Sequence, residues 1–102
     1  MEVHSERDFY ALILDEIERL ENKLLVWGVV DGAISEADLI DIIDTTTDAH
    51  LDQVQEIDSD LLIAPTVIDH LIEWGLIFRV QSDDVPQYRS RMAETVRLLR
   101  YL

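Results

Sequence analysis

The side chains best suited to chemistry lie in the last quarter of the chain. There Arg79, Arg89, Arg91, Arg97 and Arg100 are interleaved with Tyr88 and Tyr101. Guanidinium groups suit phosphate, because a planar fork of N–H donors matches a phosphate edge. Arg89 and Arg91 are two apart, and Arg79 falls on the strand expected to pair with theirs, so part of the set should share one face. Such a patch would hold a nucleic-acid backbone or an acidic protein surface. The plainer alternative is pairing within the chain, since few basic groups among 22 acids lack a carboxylate.

Other combinations are weaker. His70 and Glu73 lie three apart on one expected helix and could both touch a metal, but two ligands make an incomplete site. Neither His4 nor His50 is placed by the sequence to complete it. Adjacent carboxylates such as Asp15/Glu16 and Asp83/Asp84 have acid–base chemistry, yet without a pocket or an orienting third group they read as solvated charge. The sequence contains no P-loop, nucleophile elbow, glycine-rich phosphate cradle or paired Cys/His metal spacing. No catalytic residue, metal or cofactor is expected, and this chain alone is not expected to be an enzyme.

Charge is segmental. Residues 1–23 carry seven acids and three bases, residues 24–78 twelve acids and no Lys or Arg, and residues 79–102 three acids and five arginines. The net charge is −14. Only the last segment could attract phosphate unaided. Salt adaptation of the whole proteome would produce the same acidity with no message about partners. Cysteine is absent, which excludes disulfides and thiolate metal sites. No apolar run reaches the ~20 residues of a membrane span, and MEVHSERDF does not read as a secretion signal. A cytoplasmic protein without membrane contact is expected.

The elements that must position these groups follow from periodicity. Ser5 is placed to cap a helix with Asp8 at its N3 position, and Phe9, Leu12, Ile13, Ile17, Leu20, Leu24 and Trp27 form its buried face up to Gly28. Asp15, Glu16, Glu18, Arg19, Glu21 and Lys23 should form its solvated face. VVDGAIS, residues 29–35, reads as a connector. Ser35 caps a second helix, with Ile34 and Leu39 spaced as a hydrophobic staple. That helix should end at Thr45-Thr46-Thr47, three β-branched residues that favour helix little. Asp48 should cap a short third helix, and residues 57–60 read as a turn.

A further helix should begin near Pro65, with Val67, Ile68, Leu71, Ile72 and Trp74 on its apolar side. It should pack on the first helix. Leu76–Gln81 and Gln87–Ser90 read as strands of a hairpin around SDDVP, and a last helix starts at Ser90 or Arg91. This order predicts a mainly α fold with a small β-hairpin, a winged helix-turn-helix-like single domain over residues 1–102, with an insertion at Thr45–Asp60. A helical bundle with an incidental hairpin is the alternative. The helix after the hairpin runs to Leu102 without a capping signal, which suggests a module of a longer polypeptide.

In a helix-turn-helix the Pro65 helix would enter the major groove and read bases with Arg, Lys, Asn or Gln. PTVIDHLIEW supplies none of these. Asp69 and Glu73 would instead repel phosphate, so any nucleic-acid contact is expected on the arginine-bearing wing and last helix.

The run YRSRMAETVRLLRYL, Tyr88–Leu102, resembles a segment near the N-terminus of large DEAD/DEAH-type helicases, some encoded in bacterial and archaeal anti-phage defence or DNA-modification islands. The matching residues are Arg89, Ser90, Arg91, Met92, Ala93, Glu94, Val96, Arg97, Leu98 and Leu99. The strong part covers about fifteen residues, with looser similarity of pattern back to roughly Ser35. The motor is absent, with neither a Walker lysine nor an Asp-Glu-Ala-Asp box. The resemblance therefore implies a winged-helix accessory module without ATPase activity. Two readings follow: an accessory module contacting nucleic-acid backbone or the motor through its arginines, or a stand-alone acidic protein-interaction module that mimics DNA charge.

Overall fold

Ser5 starts the first helix as its residue type predicts. Its Oγ accepts from the Asp8 N–H, an otherwise unpaired donor of the first turn, and the Asp8 carboxylate accepts from the His4 N–H just before the cap. The structure, a computed structural model, describes residues 2–28, 33–80 and 85–99, apart from the side chains of Val96 and Arg97. Helix α1 spans Glu6–Val26, β1 Ile34–Ser35, α2 Glu36–Ala49, α3 Leu51–Ile57 and α4 Ala64–Glu73. A 3-10 turn covers Ser59–Leu62, and β2 Ile77–Val80, β3 Gln87–Ser90 and α5 Arg91–Leu99 complete the order.

The three strands form one antiparallel sheet in the order β1-β3-β2. Ile34 faces Tyr88 across β1 and β3, while Phe78 faces Arg89 and Arg79 faces Tyr88 across β2 and β3. A short strand between the first two helices, laid against the far strand of a hairpin, gives a mainly α, winged-helix-like fold. The strand β1 is absent from the reading of residues 29–35 as a connector. Two residues are too few to show alternation, and they pair because Tyr88 offers a buried neighbour.

The threonine run is a second difference. Helix α2 passes through Thr45–Thr47 and ends at Ala49. Thr46 and Thr47 are buried, and each hydroxyl donates to the carbonyl four residues back, Ile42 and Ile43, at 2.8 Å. Packing and back-bonding outweigh weak propensity. Asp48 consequently lies inside α2, and α3 begins after His50 with no side-chain cap.

The core holds Phe9, Ile13 and Ile17 of α1, Leu39 and Ile43 of α2, and Val67, Ile68 and Leu71 of α4. Helix α1 packs chiefly on α2, and α2 on α4. Helices α1 and α4 share this core, and they meet directly where the Tyr10 hydroxyl lies 2.7 Å and Glu6 Oε1 3.5 Å from His70 Nδ1, with the Tyr10 ring edge-on to Trp74 at 4.8 Å. Trp27, assigned to the buried face, is instead 71% exposed at the end of α1. No helix among the described residues is long and apolar enough to cross a membrane.

Candidate functional site

The arginine motif forms a structural junction where strand becomes helix. Ser90 is the last residue of β3, and its Oγ accepts from the Ala93 N–H, which caps α5. Its own N–H donates to a Glu21 carboxylate oxygen at 2.9 Å, from a helix 69 residues earlier in sequence. Arg89 is 5% exposed and donates through Nη1 to Glu94 Oε2, one turn into α5. The Arg91 N–H donates to the Leu76 carbonyl at 3.2 Å. One tripeptide thus ties α1, the α4–β2 turn and the first turn of α5 together.

Gly75 belongs to the same junction. Its φ is +70°, a region that L-residues adopt at a cost, and it lets the chain turn from α4 into β2. A Cβ there would sit 3.2 Å from Arg91 Nη2, so the guanidinium lies over the bare glycine. The helix–glycine–strand step and the Arg-Ser-Arg motif are two sides of one contact.

Glu21, expected on the solvated face of α1, is only 4% exposed. Its burial pushes the carboxyl above the usual glutamate range, while the Ser90 bonds and the nearby Arg89 charge act in the opposite sense. Nothing in the period of α1 distinguishes Glu21 from its neighbours. Its role comes from a partner 69 residues away. Sequence reasoning also missed Glu94 as the counter-ion of Arg89, although five residues across a strand-to-helix corner is a short reach.

The candidate arginines whose side chains are described do not all lie on one face. Arg79 is opposite Tyr88 in register, and Arg89 is opposite Phe78, so Arg79 and Arg89 point to opposite faces of the sheet. Arg79 is exposed, with its guanidinium 5.9 Å from the Tyr88 ring centroid and Nη2 3.5 Å from the phenol oxygen. The Tyr88 hydroxyl donates to Glu36. Arg91 is exposed at the start of α5. The Arg97 side chain and all of Arg100 lie outside the described residues, as does Tyr101. The strand pairing expected to bring Arg79 to the same face as Arg89 does not do so.

Helix α4 carries a second polar group. The Tyr10 hydroxyl donates to Glu6 Oε1 at 2.8 Å and lies 2.7 Å from His70 Nδ1. One phenol proton cannot serve both, so all three groups are satisfied when His70 carries its proton on Nδ1 and donates to the phenol oxygen. Burial and the Glu6 bond hold the phenol protonated well above the usual tyrosine range. His70 thus joins α4 to α1. Among the described residues no three His, Cys, Asp or Glu side chains converge as a metal site needs. Asp69 and Glu73 remain exposed on α4. Comparison with protein-family models, with curated protein sequences and with solved structures returned no match.

Proposed function

We propose that the chain is a non-catalytic winged-helix module that docks on protein rather than on duplex DNA. The observation that carries this reading is Arg89, the centre of the arginine motif, which is buried against Glu94 and offers no fork to a phosphate. The exposed carboxylates of α4 add to it, because they stand where a recognition helix would meet a phosphate wall. The resemblance of Arg89–Leu99 to helicase segments supports a cytoplasmic setting within a larger nucleic-acid-processing assembly, with the motor as the surface contacted.

Arg79 and Arg91 are exposed, and they support a second reading in which the wing touches nucleic-acid backbone. Fluorescence anisotropy of a labelled duplex separates the two. The protein-docking reading expects no saturable binding at about 0.1 M salt, where the Debye length is near 10 Å. Saturable binding whose slope against log salt falls by about 0.9 per arginine in Arg79→Ala and Arg91→Ala would establish the backbone reading instead.

A further inference from the structure

Helices α1 and α2 leave a cleft between them, an open cavity of about 450 Å³. Its apolar lining is Leu12 from α1 and Ile42 and Ala49 from α2, with Thr45 and Thr46 beside them. Its rims are acidic on both sides, with Asp15 and Glu16 on one helix and Asp41 on the other. Arg19 is the one Lys or Arg side chain in the lining and is bonded to Glu16 at 2.9 Å, and His50 lines the α2 end. The lining positions recur at helical spacing on both helices, from 12 to 19 and from 41 to 49. The cleft therefore extends for about two turns, roughly 10 Å.

This geometry selects among occupants. A nucleic acid would bring phosphate against three carboxylates. A second copy of this chain is disfavoured by long-range repulsion, since each copy carries a net charge of −14, although residues 79–102 are locally positive. A helix with an apolar stripe and Lys or Arg on each flank would bury the stripe on Leu12, Ile42 and Ala49 and set its cations against Asp15, Glu16 and Asp41.

We propose that the α1–α2 cleft is a docking groove for a basic amphipathic helix of a protein partner. This rests on the reading of the chain as a protein-docking module and names the surface that would do the docking.

The test uses the full chain and a synthetic amidated peptide of about 16 residues, with leucines at i, i+4, i+7 and i+11 and Lys or Arg flanking the stripe. A scrambled peptide of identical composition, whose leucines no longer share a face, reports on charge alone. A duplex oligonucleotide is the third probe. Amide shifts in NMR spectra locate each contact, and anisotropy gives each affinity. The proposal expects saturable binding of the amphipathic peptide, with the largest shifts at Leu12, Asp15, Ile42, Thr45 and Ala49. Ala49→Trp, which fills the cleft from an exposed position, and the double variant Asp15→Lys/Asp41→Lys should each weaken binding about tenfold or more. All three positions are exposed, so neither variant should melt below the wild type. Equal binding of the scrambled peptide overturns the proposal, as does no saturation up to about 1 mM. Shifts confined to α4 and β2 overturn the cleft while leaving the protein-docking reading intact. Tighter binding of the duplex than of either peptide overturns that reading as well.

Discussion

Replacing Arg89 with Met separates a structural arginine from a phosphate ligand. The change keeps an apolar stem of similar length and removes the guanidinium that holds Glu94. The Arg89 side chain is 6% exposed and that of Glu94 27%. Breaking a buried pair costs about 3–5 kcal/mol when the survivor stays out of water. Glu94 keeps enough exposure to regain part of its hydration, which lowers the expected loss to about 2 kcal/mol. Glu21 loses a nearby compensating charge in the same variant, so the loss should not fall far below that figure. For a domain of this size each kcal/mol moves Tm by about 4–8 °C, and Arg89→Met should melt roughly 10 °C below wild type by circular dichroism. A cycle with Glu94→Gln should return a coupling of about 1–2 kcal/mol. Any residual duplex binding by the folded variant should keep the wild-type salt slope. If Arg89→Met melts as wild type does and instead lowers that slope by about 0.9, Arg89 is a phosphate ligand and its structural role is refuted.

Leu71 is fully buried on α4, and Leu71→Ala should cost about 2–5 kcal/mol in denaturant unfolding; a wild-type midpoint would remove α4 from the core. Gly75→Ala should cost about 1–2 kcal/mol for its positive φ plus the contact with Arg91. Gly28→Ala carries the positive φ alone, with nothing within 4 Å of the added Cβ, and should lose less; equal losses would deny the Arg91 contact. Glu21 has a folded carboxyl raised above its unfolded value, so this group stabilises the fold most below the ordinary glutamate value of 4.5 and loses that contribution as pH rises through the folded value. Glu21→Gln should therefore be best tolerated near neutral pH and become relatively worse on acidification, the reverse trend counting against burial of the ionised group. With a net charge of −14, Tm of the wild type should rise between low and molar KCl, and a flat profile would point to an acidic surface that serves binding rather than salt adaptation.

Much of the fold was legible because its signals are local. Ser5 and Ser35 cap α1 and α2 through their hydroxyls as their residue types predict, and the return strand Gln87–Ser90 is where the alternation places it. What was not legible depends on distant partners. Thr46 and Thr47 continue α2 only because both side chains are buried and bond backward, and β1 exists only because Tyr88 lies beside Ile34. The sharpest case is Glu21, which by residue type and charge resembles exposed acids of the same helix such as Asp15 and Glu16 but is drawn inside by the Ser90 N–H. Spacing on one helix carries no information about a backbone donor on another element.

The arginines show the same limit from the functional side. Counting bases along the chain places a positive segment at residues 79–102, and charge alone makes that segment a candidate for phosphate. Register decides otherwise for its centre. Strand alternation sends Arg79 and Arg89 to opposite faces, and the face that receives Arg89 also receives Glu94 from the first turn of α5. The motif Arg-Ser-Arg followed by Glu can then be understood without any ligand: one arginine for the glutamate, a serine for the helix cap and Glu21, and one arginine over the glycine. Surface chemistry must therefore be sought where side chains are not consumed by the fold, and the α1–α2 cleft, with carboxylates on both rims and an apolar lining, is such a place.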